Sequence, residues 1–170
     1  VGHLIERKGH HLVIEALALL PDAELYIAGA GEEEGRLRAL ADQLGAAQRV
    51  HLLGAIPQAK LRTLYNAVDC LVLASSREGW ANVLLEAMAC GTPVVASKVW
   101  GTPEVVASPE AGVLMHERSA HGIVEAIRGL RRSLPEHAAT RRYAEQFSWG
   151  ATTEGQLAIF RNILAEHTCP

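Results

Sequence analysis

Short apolar runs alternate along the chain with longer stretches of helical periodicity. ELYIAG (24–29) precedes EEEGRLRALADQLG, VHLLGAI (50–56) precedes PQAKLRTLYNAV, and DCLVLAS (69–75) precedes a turn and NVLLEAMACG. PVVAS (93–97) and AGVLM (111–115) follow, the latter leading into SAHGIVEAIRGLRRSL. Strands that read as continuous apolar runs, each followed by a helix, predict a parallel sheet covered on both faces. The expectation is a doubly wound α/β domain with about five or six strands. Val1 to Leu4 reads as a further strand end, with a helix opening at Lys8-Gly9 and running through LVIEALALL. From Ser119 onward the pattern is all helical, ending in QLAIFRNIL with apolar positions three and four apart. Residues 1–170 form one domain by length, without repeats or an internal linker.

In such a sheet, ligands bind beyond the carboxyl ends of the strands, where helix N-termini point outward. Chemistry is therefore sought in the strand-to-helix turns. GAGEEEG (29–35) has the outline of a dinucleotide-binding turn. Glu32, Glu33 and Glu34 stand where a pyrophosphate would lie, and the next strand ends without the acid a ribose would need, so a nicotinamide site is disfavoured. Gly29 and Gly31 then make a tight turn, with the acids complementing the helix dipole. In the opening segment His3 and Lys8 can converge on an anion, although a lone lysine is ordinarily solvated surface. His10 and His11 lack further ligands for a metal, and no metal site is expected.

The third turn carries SREGWANVLLEAMACGTPVVAS, in which Glu86 follows Glu78 by eight positions. Spacing alone does not single these acids out, because Glu24 with Glu32 and Glu117 with Glu125 are also eight apart. Asn82 is the expected N-cap, with Gly91 and Pro93 ending the helix. Glu78 then lies in the turn and Glu86 just over one helical turn beyond the cap. A glutamate among Leu84, Leu85, Ala87 and Met88 needs a hydrogen-bonding partner if buried. Ribose hydroxyls would serve. A salt bridge on an exposed helix face is the other reading the residues leave open.

The formal charge of −3, from 16 basic and 19 acidic residues, gives no general attraction to nucleic acid or an anionic membrane, so any phosphate binding must be local. Cys70, Cys90 and Cys169 are odd in number and lack metal-type spacing, which suits a reducing, cytoplasmic compartment. No run approaches a membrane span, and the start lacks the apolar core of a signal peptide.

VGHLIERKG, HLLGAIP, SREGWANVLLEAMACGTPVVAS, VWGTPEVV and AGVLM, in this order and with FSW (147–149) near the end, closely resemble the C-terminal domain of the family four retaining glycosyltransferases. That resemblance implies the GT-B architecture of two Rossmann-like domains facing a cleft. Residues 1–170 would be the single donor-binding domain, with the N-terminal acceptor domain absent from this chain. It further implies that Glu78 faces the donor sugar or reacting phosphate, Glu86 holds the ribose, and Lys8 neutralises the donor diphosphate. The backbone of Gly79, Trp80, Ala81, Asn82 and Val83 would approach phosphate and sugar. Gly54 and Ile56 would flank the base, and Gly31 would keep its turn clear. The family usually has arginine where His3 stands, a departure that exchanges a permanent, two-pronged phosphate ligand for a group largely neutral at pH 7.

The implied activity is hexosyl transfer from a UDP- or GDP-sugar, without cofactor or essential metal, to a glycan, lipid or small-molecule acceptor held by the absent domain. Peripheral membrane contact would arise only through that domain. A sugar-nucleotide epimerase of the same architecture and a non-catalytic nucleotide-binding module are the alternatives; assaying the full-length protein for transfer against isomerisation separates them.

Overall fold

The computed structural model describes residues 1–167. The strands are β1 (Leu25–Ala28), β2 (Val50–Gly54), β3 (Leu71–Leu73), β4 (Val94–Ser97) and β5 (Gly112–Met115), all pairing in parallel. Before the first strand runs α1 (His10–Ala18), and between and after the strands run α2 (Glu34–Gln43), α3 (Gln58–Ala67), α4 (Asn82–Ala89), α5 (Thr102–Val105), α6 (Ala120–Arg132), α7 (His137–Ala144) and α8 (Trp149–His167). The alternation of strand and helix and the helical final third agree with the sequence pattern.

The pairing is less continuous than expected. Five strands form two ladders, β1–β2 and β3–β4–β5, in place of one unbroken sheet. The predicted strand end at Val1–Leu4 does not join a ladder, because Gly2 sits at φ 131° and interrupts the extended backbone. The segment still lies along the end of β1, through Gly2 N–H to the Ala28 carbonyl (2.9 Å) and Leu4 N–H to the Ala30 carbonyl (3.0 Å). A hollow of about 400 Å³, lined by Leu25, Leu71, Val72 and Ile123 among others, separates the ladders.

β4 is buried along its whole length, and its period-two alternation feeds both sides of the fold. Val94 and Ala96 join Leu84, Met88 and Val105 on one face, while Val95 joins Met115, Ile123 and Leu130 on the other. Each such aliphatic side chain contributes roughly 1.5–3 kcal/mol on burial. A third cluster of Leu4, Ile14, Ile27 and Leu37 fixes the opening segment and α1 against β1. With the strands parallel, the turns after Leu4, Ala28, Gly54, Leu73, Ser97 and Met115 gather at one edge, and a hydrogen bond from Ser97 Oγ to the Ser75 carbonyl (2.6 Å) ties two of them.

Candidate functional site

The site begins with a close approach that only glycine permits. Residues Glu6–Lys8 make one 3-10 turn, ended by Gly9 in the left-handed region at φ 68°. A Cβ on Gly9 would stand 2.2 Å from the Ala74 carbonyl oxygen, so its absence lets the start of α1 press against the end of β3. Ser76 N–H then donates to the Arg7 carbonyl (2.9 Å), joining the two turns. Lys8 is thereby carried to Glu78, seventy positions away in sequence, and its Nζ donates to Glu78 Oε1. Ser75 Oγ donates to the same oxygen at 2.8 Å. Partial burial works to raise the Glu78 pKa, but the hydrogen bonds from Lys8 and Ser75 and the charges of Lys8 and Arg7 outweigh it and hold the carboxyl below its ordinary value. Glu78 is therefore an anion at neutral pH, paired to the cation beside it.

Glu86, the fifth of the eight residues of α4, is half-buried. Its Oε2 accepts from the Tyr65 hydroxyl at 3.0 Å and its Oε1 from Gln58 Nε2 at 3.5 Å. The exposed salt bridge that the residues had left open is not what is found, since Glu86 is in no ion pair among the described residues. Burial first, then the Glu86 charge and hydrogen bond, push the Tyr65 phenol well above its ordinary pKa, so Tyr65 stays a donor to Glu86. Tyr65 is held in turn by Thr92 Oγ1, which donates to its carbonyl at 2.6 Å.

The expected N-cap at Asn82 is corrected by the structure. Asn82 is the first helical residue, the cap position falls on Ala81, and no side chain caps the helix. Asn82 N–H donates to the Trp80 carbonyl (3.0 Å), a tight turn that draws Asn82 into helical geometry and leaves its side chain exposed. The N-terminus of α4 is thus free of a competing side-chain acceptor, the condition under which helix N–H groups receive phosphate oxygens. Ala81 is buried, Val83 half-buried and Gly79 exposed, while Trp80 is 47% exposed and leans on Phe147 with ring centroids 6.1 Å apart.

The remaining sequence-selected positions fall nearby with their own local reasons. A Cβ on Gly31 would lie 2.4 Å from the Leu4 carbonyl oxygen, so this glycine admits the opening segment. Gly54 adopts φ 69° and accepts a bond from Gly29 N–H at 2.7 Å, turning the chain toward half-buried Ile56. His3 is exposed and its ring has no partner among the described residues. No group of three or more metal-ligating side chains occurs among them either. Cys70 and Cys90 are free, and burial pushes the Cys70 thiol up to about 11, while Cys169 lies outside the described residues. No described helix is long and apolar enough to cross a membrane.

The hollow between the ladders is a poor competitor for the site. Glu24 and Asp69, near the starts of β1 and β3, line it, and none of Lys8, Glu78 or Glu86 does. Two partners escaped the sequence reading. Ser75 was findable, as a hydroxyl three residues before an acid in the same turn. Tyr65 was not, because the pairing of α3 with α4 is set only by tertiary packing.

The chain is a parallel α/β domain of Rossmann-like build whose edge joins a lysine to a glutamate ahead of an uncapped helix, with a second glutamate inside that helix. The pattern of the glycosyl transferases group 1 matches residues 1–147, and the chain belongs to that family. It is 35% identical over 185 residues to a D-inositol 3-phosphate glycosyltransferase of Mycobacterium marinum (strain ATCC BAA-535 / M), covering 99% of this chain and 38% of the relative. Sucrose-phosphate synthase from Thermosynechococcus elongatus superposes with a TM-score of 0.86 at 28% identity, over 98% of this chain and 45% of that one. HepE of Anabaena in complex with UDP-glucose gives 0.81 at 27% identity, over 95% and 48%. The chain thus spans less than half the length of these proteins.

Proposed function

We propose that this chain is the donor-binding half of a retaining glycosyltransferase. It takes a UDP- or GDP-hexose and works with an N-terminal domain, outside these 170 residues, that holds a glycan, lipid or small-molecule acceptor. The meeting of Lys8 and Glu78 at the uncapped start of α4 carries this reading. The UDP-glucose complex of HepE supports the donor class. When the sugar C–O bond breaks, its electron pair stays with the diphosphate oxygen. Lys8 Nζ and the α4 N–H groups, aimed at that oxygen, stabilise the charge as it develops. Glu78 faces the sugar and reacting phosphate, Glu86 receives the ribose hydroxyls, and Gly54 and Ile56 border the base. His3 stands at the rim of the phosphate seat. The reaction so described uses no metal or organic cofactor, and it takes place in the cytoplasm.

Isothermal calorimetry with UDP and GDP tests the ribose assignment. Glu86→Ala is expected to weaken nucleotide binding by about 1.5–3 kcal/mol, the cost of losing a charged hydrogen-bonding partner. Tyr65→Phe, which keeps the carboxylate, serves as the control for disturbance of α3. Unchanged affinity in both Glu86→Ala and Glu86→Gln would remove Glu86 from the site.

A further inference from the structure

The two turns that bring Lys8 to Glu78 also build a second polar hollow. Adjacent residues on each turn face different ways: Lys8 and Glu78 pair with each other, while Arg7 and Arg77 line a separate open space of about 410 Å³ with Glu6, His11, Ser76 and Arg118. Arg7 Nη1 donates to the Arg77 carbonyl at 3.3 Å, which holds the turns together on this side. Arg118 enters from the turn after β5, where its Nε donates to the Ala74 carbonyl at 2.8 Å. Its guanidinium is positioned closely enough that Nη2 would lie 2.9 Å from a Cβ on Gly9. Arg77 is steadied by the ring of Trp100, 5.7 Å from its guanidinium carbon.

In a chain of net charge −3, the hollow gathers three arginines in one place. Arg7, Arg77 and Arg118 are in no ion pair among the described residues, and the adjacent Glu78 is already engaged by Lys8 and Ser75. Three permanently charged arginines thus line the hollow with one carboxylate, Glu6, while the charge of Glu78 acts on Arg7 from beside it. Planar guanidinium forks suit the terminal oxygens of a phosphate, and three of them suit a dianion better than a single carboxylate.

We propose that this hollow binds a phosphomonoester dianion at a place distinct from Lys8, so that a phosphate-bearing molecule is held beside the Glu78 turn. The inference stands on the arginines alone and is independent of how Lys8 meets a donor. Calorimetric titration of inorganic phosphate into the 170-residue chain, with and without saturating UDP, tests it. Saturable phosphate binding is expected in both conditions. Arg77→Gln and Arg118→Gln should each weaken it about tenfold, and Lys8→Met combined with Glu78→Gln, which removes the neighbouring pair together, should change it by less than about twofold. Should Arg118→Gln fail to fold for want of the Ala74 contact, the exposed Arg77→Gln decides the matter. Absence of saturable binding, retention of full affinity in folded Arg77→Gln, or displacement by UDP together with loss in that double variant would each overturn the proposal. If UDP fails to bind while phosphate does, the donor assignment fails and the phosphate site survives.

Discussion

At Lys8 and Glu78 a cation is already neutralised before any ligand arrives. The two side chains are 17% and 12% exposed, so the pair is neither fully solvated nor sealed from water. A donor diphosphate would compete with Glu78 for Lys8 and would also meet the Glu78 charge directly. Glu78→Gln removes both penalties while leaving an amide that still accepts from Ser75. The substitution is therefore expected to tighten UDP binding, by about 0.5–1 kcal/mol for a partly exposed pair, even as it abolishes transfer by the full-length enzyme. Calorimetry with Glu78→Gln and Lys8→Met side by side reads this out; weaker binding in both variants would mean that Glu78 itself ligates the nucleotide. The sequence had these two residues as candidates because both lie in strand-to-helix turns. Their mutual engagement was not legible, since it depends on Gly9 admitting Ala74 at close range.

Among the elements, glycines decide whether the opening segment reaches the site at all. Gly29 lies at φ 152°, and a Cβ there would fall 1.8 Å from the Gly2 carbonyl oxygen. Gly29→Ala must push Val1–Leu4 off β1, breaking the Gly2 and Leu4 backbone bonds and loosening the turn that holds Lys8. A loss of about 1–3 kcal/mol or more is expected. Gly35 in α2 is the opposite case, with nothing within 4 Å of its missing side chain, and Gly35→Ala should stabilise by about 0.5–1 kcal/mol through helix propensity. Urea unfolding of the two variants should give shifts of opposite sign, and a neutral Gly29→Ala would show that the opening segment is not packed as described. The sequence revealed Gly29 and Gly31 as turn formers through their place between strand and helix, but not that another segment's backbone passes over them. Likewise the apolar runs pointed to about five or six strands, of which Val1–Leu4 stays outside the ladders, whereas the division of the other five into two ladders is recorded in no periodicity.

For the molecule as a whole, the decisive property is how open the site edge stands. Trp80 and Trp100 are 47% and 67% exposed beside the turns that carry Glu78 and Arg77. Charges at such an edge act through water, where a contact worth roughly 4 kcal/mol at an effective dielectric constant of 20 falls to about 1 kcal/mol. Binding of a nucleoside diphosphate, which needs only a few hydrogen bonds and one cation, survives that screening. Stabilising a departing diphosphate does not, because the gain requires water to be excluded while charge develops. The 170-residue chain is therefore expected to bind UDP or GDP and yet leave a UDP- or GDP-hexose untransferred, whatever acceptor is offered. If the proposed N-terminal domain closes over this edge, the protein carrying it should show turnover without a matching change in nucleotide affinity. Transfer assays on the chain and the full-length protein, each beside its Lys8→Met variant to exclude a contaminating enzyme, measure this. Sustained turnover by the chain that disappears in Lys8→Met would mean that the open edge is itself a complete active site.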